Sequence, residues 1–263
     1  MKISRTNIYT TNQTSMTVDS DADSLQDITN VNTGDFSTAY TSAGTASSFN
    51  FAANLSGGTI NYVAVAGHTY GSGGGGTLRL IINGTIIQNV TFAAGSKNDV
   101  IMFTFDQVDV ATSIRLLFFK NIDADKVTVT YVSAGITLSL GSQNSEPGGY
   151  SRNWLTDSKK VRAQVNDAGA PVAYIRERIA RQATLNIDNV NISVTNANQW
   201  RQFLDRVYEQ GDFFIKENDG LNLADNPLSS YMCFDAQVAP PKAHPDTRQL
   251  NNLQITFKTY TGH

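Results

Sequence analysis

Between residues 60 and 132 the chain repeats one pattern: a short apolar run, then a cluster of Gly, Asn, Asp or Ser, then another apolar run. The runs are Ile60–Ala66, Leu78–Ile82, Thr85-Ile86-Ile87, Val100–Phe105, Ser113–Phe119 and Val127–Val132. Gly71–Gly76, Asn83-Gly84, Ala94-Gly95-Ser96 and Asn121–Asp125 separate them. Runs this short match strands and fall well below the usual helix length. Asn83-Gly84 supplies two adjacent residues that tolerate positive φ, the strongest short hairpin signal. With no convincing helical period in this half, the spacing predicts a β-sandwich of about eight strands.

Charge narrows the possible functions. Lys+Arg is 20 against Asp+Glu 23, so the net charge is -3, and charged residues are only 16% of the chain. Polarity comes instead from 27 Thr and 24 Asn, which is compatible with a Thr/Asn-rich β surface. A slightly acidic balance argues against nucleic-acid binding driven by counterion release. No apolar run approaches the ~20 residues that span a bilayer, and Met1–Asn7 lacks the apolar core of a secretion signal. The expectation is a chain with no membrane insertion and no nucleic-acid specificity. One cysteine, Cys233, cannot close an internal disulfide, and it lies in an apolar strand pattern that suits a small core residue. His68, His244 and His263 lie far apart, without metal-ligand spacing. No cofactor is expected.

A Pro- and Gly-punctuated break at Gly141–Gly149 interrupts the periodic pattern. It divides the chain into a sandwich at 1–140, a linker at 141–150 and a second part at 151–263. Residues 1–140 carry 7 Lys/Arg and 10 Asp/Glu; residues 141–263 carry 13 and 13. The second part has one clear helix, expected over 197–210. Trp200, Phe203, Leu204, Val207 and Tyr208 form its apolar stripe, Asn196 is placed as N-cap and Gly211 as C-terminal stop. Strand patterns flank it at Ala183–Asp188, Asp212–Lys216, Tyr231–Asp235 and Leu253–Tyr260. The reading is a small β-sandwich with one helix packed on it.

Candidate chemistry is sparse. Asp19, Asp21, Asp23 and Asp27 imitate the start of a calcium loop, but the glycine and the bidentate glutamate of such a loop are replaced by Ser24 and Asn30. A solvated acidic turn is the favoured alternative. Gly71–Gly76 precedes a strand rather than a helix, so a hairpin loop fits better than a phosphate cradle. His68 and Tyr70 follow a strand, where a loop tip could hold sugar hydroxyls; the favoured alternative is that His68 caps a turn and Tyr70 packs on the sheet edge. Asp123/Asp125 and Asp106/Asp109 read as turn residues. Arg176 and Arg178 would share one face of a strand, with Arg181 just beyond, as a subunit contact or solvated face. No nucleophile elbow is present, so no enzyme is expected.

The first part resembles the galactose-binding-like, discoidin-type jelly rolls found in phage structural proteins. The residues that carry the likeness are Ile60–His68, Leu78–Gly84, Ile114–Phe118 and Val127–Leu140. The second part resembles the ring-forming, hub-like fold of phage tail-tube and distal-tail proteins, through the Trp200–Tyr208 helix and the strands at Phe213–Ile215 and Leu253–Tyr260. The known distal-tail proteins usually carry the two domains in the opposite order. The resemblance implies a mainly β protein of two sandwiches, made in a bacterial cytoplasm and carried in the virion. It implies a minor structural protein near the tail tip, forming or joining a homo-oligomeric ring and touching tail-tube, hub and fibre proteins. The alternative is a lectin-like carbohydrate-binding module that contacts host surface glycans, with His68 and Tyr70 at its ligand.

Overall fold

The computed structural model describes residues 2–139 apart from 20, 24, 33–36, 73 and 123–124. Beyond residue 158 it describes the strands and helix given below, the turn residue Gly211 and position 228. The protein is mainly β, with elements numbered here in chain order. A five-stranded sheet has the order β2 (Gln13–Asp19), β4 (Ser48–Leu55), β9 (Ser113–Lys120), β6 (Gly76–Ile82), β7 (Thr85–Phe92). A four-stranded sheet has the order β3 (Tyr40–Thr41), β10 (Thr128–Gly135), β5 (Ile60–His68), β8 (Ile101–Val108). These two sheets make the sandwich, and every pairing within them is antiparallel.

The β6–β7 hairpin turns at Asn83 (φ 50) and Gly84 (φ 79), the two left-handed residues expected from the Asn-Gly pair. The preceding loop is tied down at its start. Asn98 Oδ1 accepts from the amides of Gly71 (2.9 Å) and Ser72 (3.0 Å). A Cβ on Gly76, whose φ is +150°, would lie 2.1 Å from the Phe119 carbonyl oxygen. Only glycine lets β6 enter its pairing with β9 there.

The third sheet crosses the expected division of the chain. Its order is β11 (Thr137–Ser139), β1 (Lys2–Ser4), β16 (Asp212–Lys216), β17 (Ser230–Ala239), β20 (Leu253–Tyr260), β14 (Arg181–Ile187). Two strands from the first 140 residues therefore complete a sheet built mainly from the last 83. Ile3 pairs with both Leu138 and Ile215. Two smaller units are a hairpin of β12 (Lys159–Val165) with β13 (Pro171–Arg178), and a three-stranded set β15 (Val190–Asn191), β19 (Gln249–Asn251), β18 (Lys242–Ala243). The run containing Arg176, Arg178 and Arg181 is split between β13 and β14, and those side chains lie outside the described residues, as does the expected linker 141–150.

Among the described residues there is one α-helix, α1, spanning Val194–Gln210. It begins before the expected 197, so Asn196 lies inside its first turn instead of capping it. Apolar periodicity starts only at Trp200, so pattern alone placed the start too late. Gly211 (φ 69) stops it as expected, its amide donating to the Val207 carbonyl at 3.0 Å.

The layers stack as five-stranded sheet, four-stranded sheet, six-stranded sheet, helix. Alternation along β5 shows why. Ile60, Val63 and Val65 pack in the sandwich core, while Tyr62, Ala64 and Ala66 pack with Met102, Tyr131, Phe214 and Met232 against the six-stranded sheet. On the far side of that sheet, Phe213, Ile215 and Cys233 pack against Trp200, Phe203 and Val207 of α1. The central sheet is thus buried on both faces, which is why Ile60–Ala66 is almost continuously apolar.

A buried cation joins the layers. Arg206 of α1 is 4% exposed. Its Nη1 donates to Ser4 Oγ (2.9 Å), the Thr6 carbonyl (3.2 Å) and Tyr62 Oη (2.8 Å). Its Nη2 donates to Ser133 Oγ (3.3 Å) and pairs with Asp212 Oδ1 (3.2 Å), and Nε donates to the Asp212 carbonyl (3.1 Å). Removing one partner of a buried ion pair strands the other charge. Arg206→Ala is therefore expected to lower the unfolding free energy by about 3–5 kcal/mol. Urea denaturation followed by tryptophan fluorescence and far-UV circular dichroism checks this; a loss below about 1 kcal/mol would show that Arg206 does not hold the halves together.

Candidate functional site

The two residues expected at a ligand-holding loop tip are in the core. His68 ends β5 and is 2% exposed; Tyr70 is fully buried. Their rings stack at 4.6 Å, and Tyr70 also packs on Phe118 (4.5 Å) and Phe92 (5.8 Å). His68 Nε2 lies 2.7 Å from the Asp99 carbonyl, and Nδ1 accepts from the Tyr70 amide at 3.3 Å. Both nitrogens are spent on the neutral tautomer. Burial drives the His68 pKa down to about 4, against the raising effect of the Asp99 carbonyl. This matches the favoured alternative, His68 capping a turn and Tyr70 packing, except that Tyr70 lies in the core and not at the sheet edge. Neither side chain can meet a ligand from solvent in this structure.

Among the described residues, the Asp-rich segment does not converge as a cation cage. Asp21 is buried, its Oδ2 pairing with Lys120 Nζ at 2.5 Å. Its Oδ1 accepts from the Thr45 amide (2.6 Å) and the Ala46 amide (3.2 Å). Burial alone would raise its pKa. Hydrogen bonds from Lys120, Ser42 and the Thr45 amide, together with the Lys120 charge, bring it down to about 2. Asp23 and Asp27 turn back on their own backbones, accepting from the amides of Leu25 (3.0 Å) and Thr29 (2.9 Å). Asp19 closes β2, and its side chain lies outside the described residues. The carboxylates are thus directed apart, and Lys120, 99 residues downstream of Asp21, supplies the positive charge. Among the described residues no three His, Cys, Asp or Glu side chains converge as a metal site. Cys233 is buried in β17, as its apolar surroundings suggest.

What the sandwich does present is the outer face of its five-stranded sheet. Its inner face is closed by Phe49, Phe51, Leu78, Leu80, Leu116 and Phe118. By the period-two rule, Arg115, Leu117 and Phe119 of β9 point the other way, as do Thr77, Arg79 and Ile81 of β6. Cross-strand register sets Arg79 opposite Leu117 and Asn89, and Ile81 opposite Arg115 and Ile86. Phe119 is 40% exposed, and the Arg79 guanidinium lies 5.1 Å from its ring centroid. Such a cation–π contact holds a flexible side chain flat on the sheet. Arg79 Nε is buried with no hydrogen-bond partner among the described residues. Thr77 and Thr91 pair their hydroxyls at 3.2 Å beside Phe119. The result is an aromatic and guanidinium platform ringed by neutral polar groups, suited to stacking and hydrogen bonding and lacking any acid–base pair. The signal lay in Ser113–Lys120, where Arg115, Leu117 and Phe119 share the outward parity, but sequence does not say that no other layer covers them.

No protein-family model matches the sequence, and no curated protein matches it. Among solved structures, the sandwich half is similar to a family 32 carbohydrate-binding module of Clostridium perfringens NanJ in complex with galactose. The identity is 16%, over 51% of this chain and 98% of that one, with a TM-score of 0.39. A chitosan-binding module from a Paenibacillus chitosanase/glucanase is similar at 14% identity, over 49% and 98%, with a TM-score of 0.39. The CBM32 of AlyQ in complex with 4,5-unsaturated mannuronic acid is similar at 20% identity, over 47% and 95%, with a TM-score of 0.37.

Two of the buried groups shape the acid response. His68 is protonated near pH 6.5 when unfolded but only near 4 when folded, so stability falls as pH drops through that window. Asp21 titrates near 3.8 unfolded and about 2 folded, so its contribution is whole above 3.8 and is lost as pH falls towards 2. Urea midpoints across pH should show both declines. His68→Gln should flatten the upper one and Asp21→Asn the lower; midpoints independent of pH from 6.5 to 4 would contradict the His68 assignment.

Proposed function

We propose that the N-terminal sandwich is a non-catalytic carbohydrate-binding module that takes its ligand on the outer face of the five-stranded sheet. The observation that carries this is Phe119, an exposed aromatic ring backed by Arg79 on a sheet face otherwise lined by Arg115 and by Thr, Asn and aliphatic groups. Sugar rings offer C–H faces that stack on aromatics and hydroxyls that pair with neutral polar side chains. The layers packed behind it hold this platform rigid, so little ordering is lost on binding. The modules named above are carbohydrate-binding by their own descriptions; the case for this chain rests on its own sheet. A glycan array with the full chain tests it. Binding of at least one glycan class, lost in Phe119→Ala while His68→Gln retains it, is the expected result. Binding that ignores Phe119 would sink the placement.

One observation favours a second reading, a structural part of a phage tail carried in the virion. Among the described residues β14 pairs only with β20, so the six-stranded sheet has an edge available for pairing with another copy. Repeated head-to-tail, such pairing closes a ring where the rotation between copies returns to the start. Size-exclusion chromatography with light scattering at rising concentration is expected to show discrete oligomers under this reading. A monomer at every concentration, one that also fails to bind recombinant tail proteins, would leave the module reading alone.

A further inference from the structure

Charge on the platform narrows the ligand further, a step that rests on the carbohydrate-binding reading of the same face. The N-terminal 140 residues hold more acidic than basic groups, 10 against 7. Yet β4, β6, β7 and β9 contain no Asp or Glu at all. The only formal charges that these strands turn outward are Arg79 and Arg115, since Lys120 is buried against Asp21. Neither guanidinium has a carboxylate partner among the described residues. Arg79 and Arg115 stand diagonally on neighbouring antiparallel strands, one pair apart in register, a spacing of about 7–8 Å.

We infer that the platform recognises an acidic glycan, one whose sugar units carry carboxylates, such as a uronate oligosaccharide. Each guanidinium offers a planar fork that matches a carboxylate in two-point fashion. Phe119 and Leu117 supply the surface for the ring faces, and Asn89 and Thr91 supply neutral donors and acceptors for hydroxyls. Arg79 is already laid flat on Phe119, so its orientation costs little further entropy on binding. An acidic peptide fits less well. Extended peptides join sheets at edges, whereas β9 is paired on both sides, with β4 and β6, and its main chain is spent. A second copy facing this one across a two-fold axis would set arginines against arginines with no acid between them.

Titration calorimetry of the full chain with oligogalacturonate, its methyl ester and a neutral galacto-oligosaccharide tests the inference. The free acid should bind about tenfold or more tighter than the ester, and the advantage should shrink as salt rises. Arg79→Gln and Arg115→Gln should each bring the acid towards the ester's affinity, while Phe119→Ala should weaken both; circular dichroism confirms that each variant is folded. Equal binding of acid and ester, or acid binding indifferent to both arginine variants, overturns the inference. If a neutral glycan binds and needs Phe119, the carbohydrate reading stands and the acidic ligand alone fails. If none of the three probes binds and the array is blank, both fail. A concentration-dependent dimer that Phe119→Ala dissolves would assign the face to self-association and overturn the inference as well.

Discussion

The guanidinium of Arg206, on α1, reaches Ser4 and Thr6 at the chain's start, Tyr62 and Ser133 in the middle sheet, and Asp212 in the sheet between. A charge this deeply buried is tolerated only when its donors are matched. Matching them fixes helix, central sheet and N-terminal strand in one arrangement. Ser4 shows the economy of the site, accepting from Arg206 while its Oγ also receives the Phe214 amide at 2.7 Å. Alongside it, Tyr131 stacks on Phe214 at 5.9 Å and Lys216 Nζ donates to Thr104 Oγ1 at 2.9 Å. The sandwich is therefore bound firmly to the sheet behind it.

That docking decides where a ligand can go. Of the sandwich's two outer faces, one is covered by the six-stranded sheet, and among the described residues no layer covers the five-stranded sheet's outer face. The polar groups that looked available in sequence were already committed. His68 keeps both nitrogens inside the core, and Asp21 satisfies Lys120. The groups left facing outward are Arg79, Arg115 and Phe119, which no motif would single out.

Much of the strand pattern was legible. β5, β6, β8, β9 and β10 follow from apolar runs bounded by turn residues, and Asn83-Gly84 gave its hairpin with the backbone signs it requires. In the second half β14, β16, β17 and β20 and the body of α1 lie where periodicity put them. β2 and β4 were missed, although they form two strands of the five in one sandwich sheet. Gln13–Asp19 is polar because it is an edge strand, and Ser48–Leu55 alternates Phe and Ala with Asn, which reads weakly as a strand. β1 was invisible: three residues gain strand character only from β11 and β16 on either side.

Local pattern was enough to settle the class of structure: short alternating runs with Gly and Asn between them can bury their apolar sides only as stacked antiparallel sheets. It was enough for the body of the helix and its stop. Which faces are covered was settled by packing in three dimensions, because periodicity marks a side chain's direction and not what lies opposite it. Arg206 to Ser4 and Lys120 to Asp21 are separations of 202 and 99 residues, and pairings that long leave no local imprint. Folding kept a histidine inward and left the arginines of two neighbouring strands, with one phenylalanine, on the outer face.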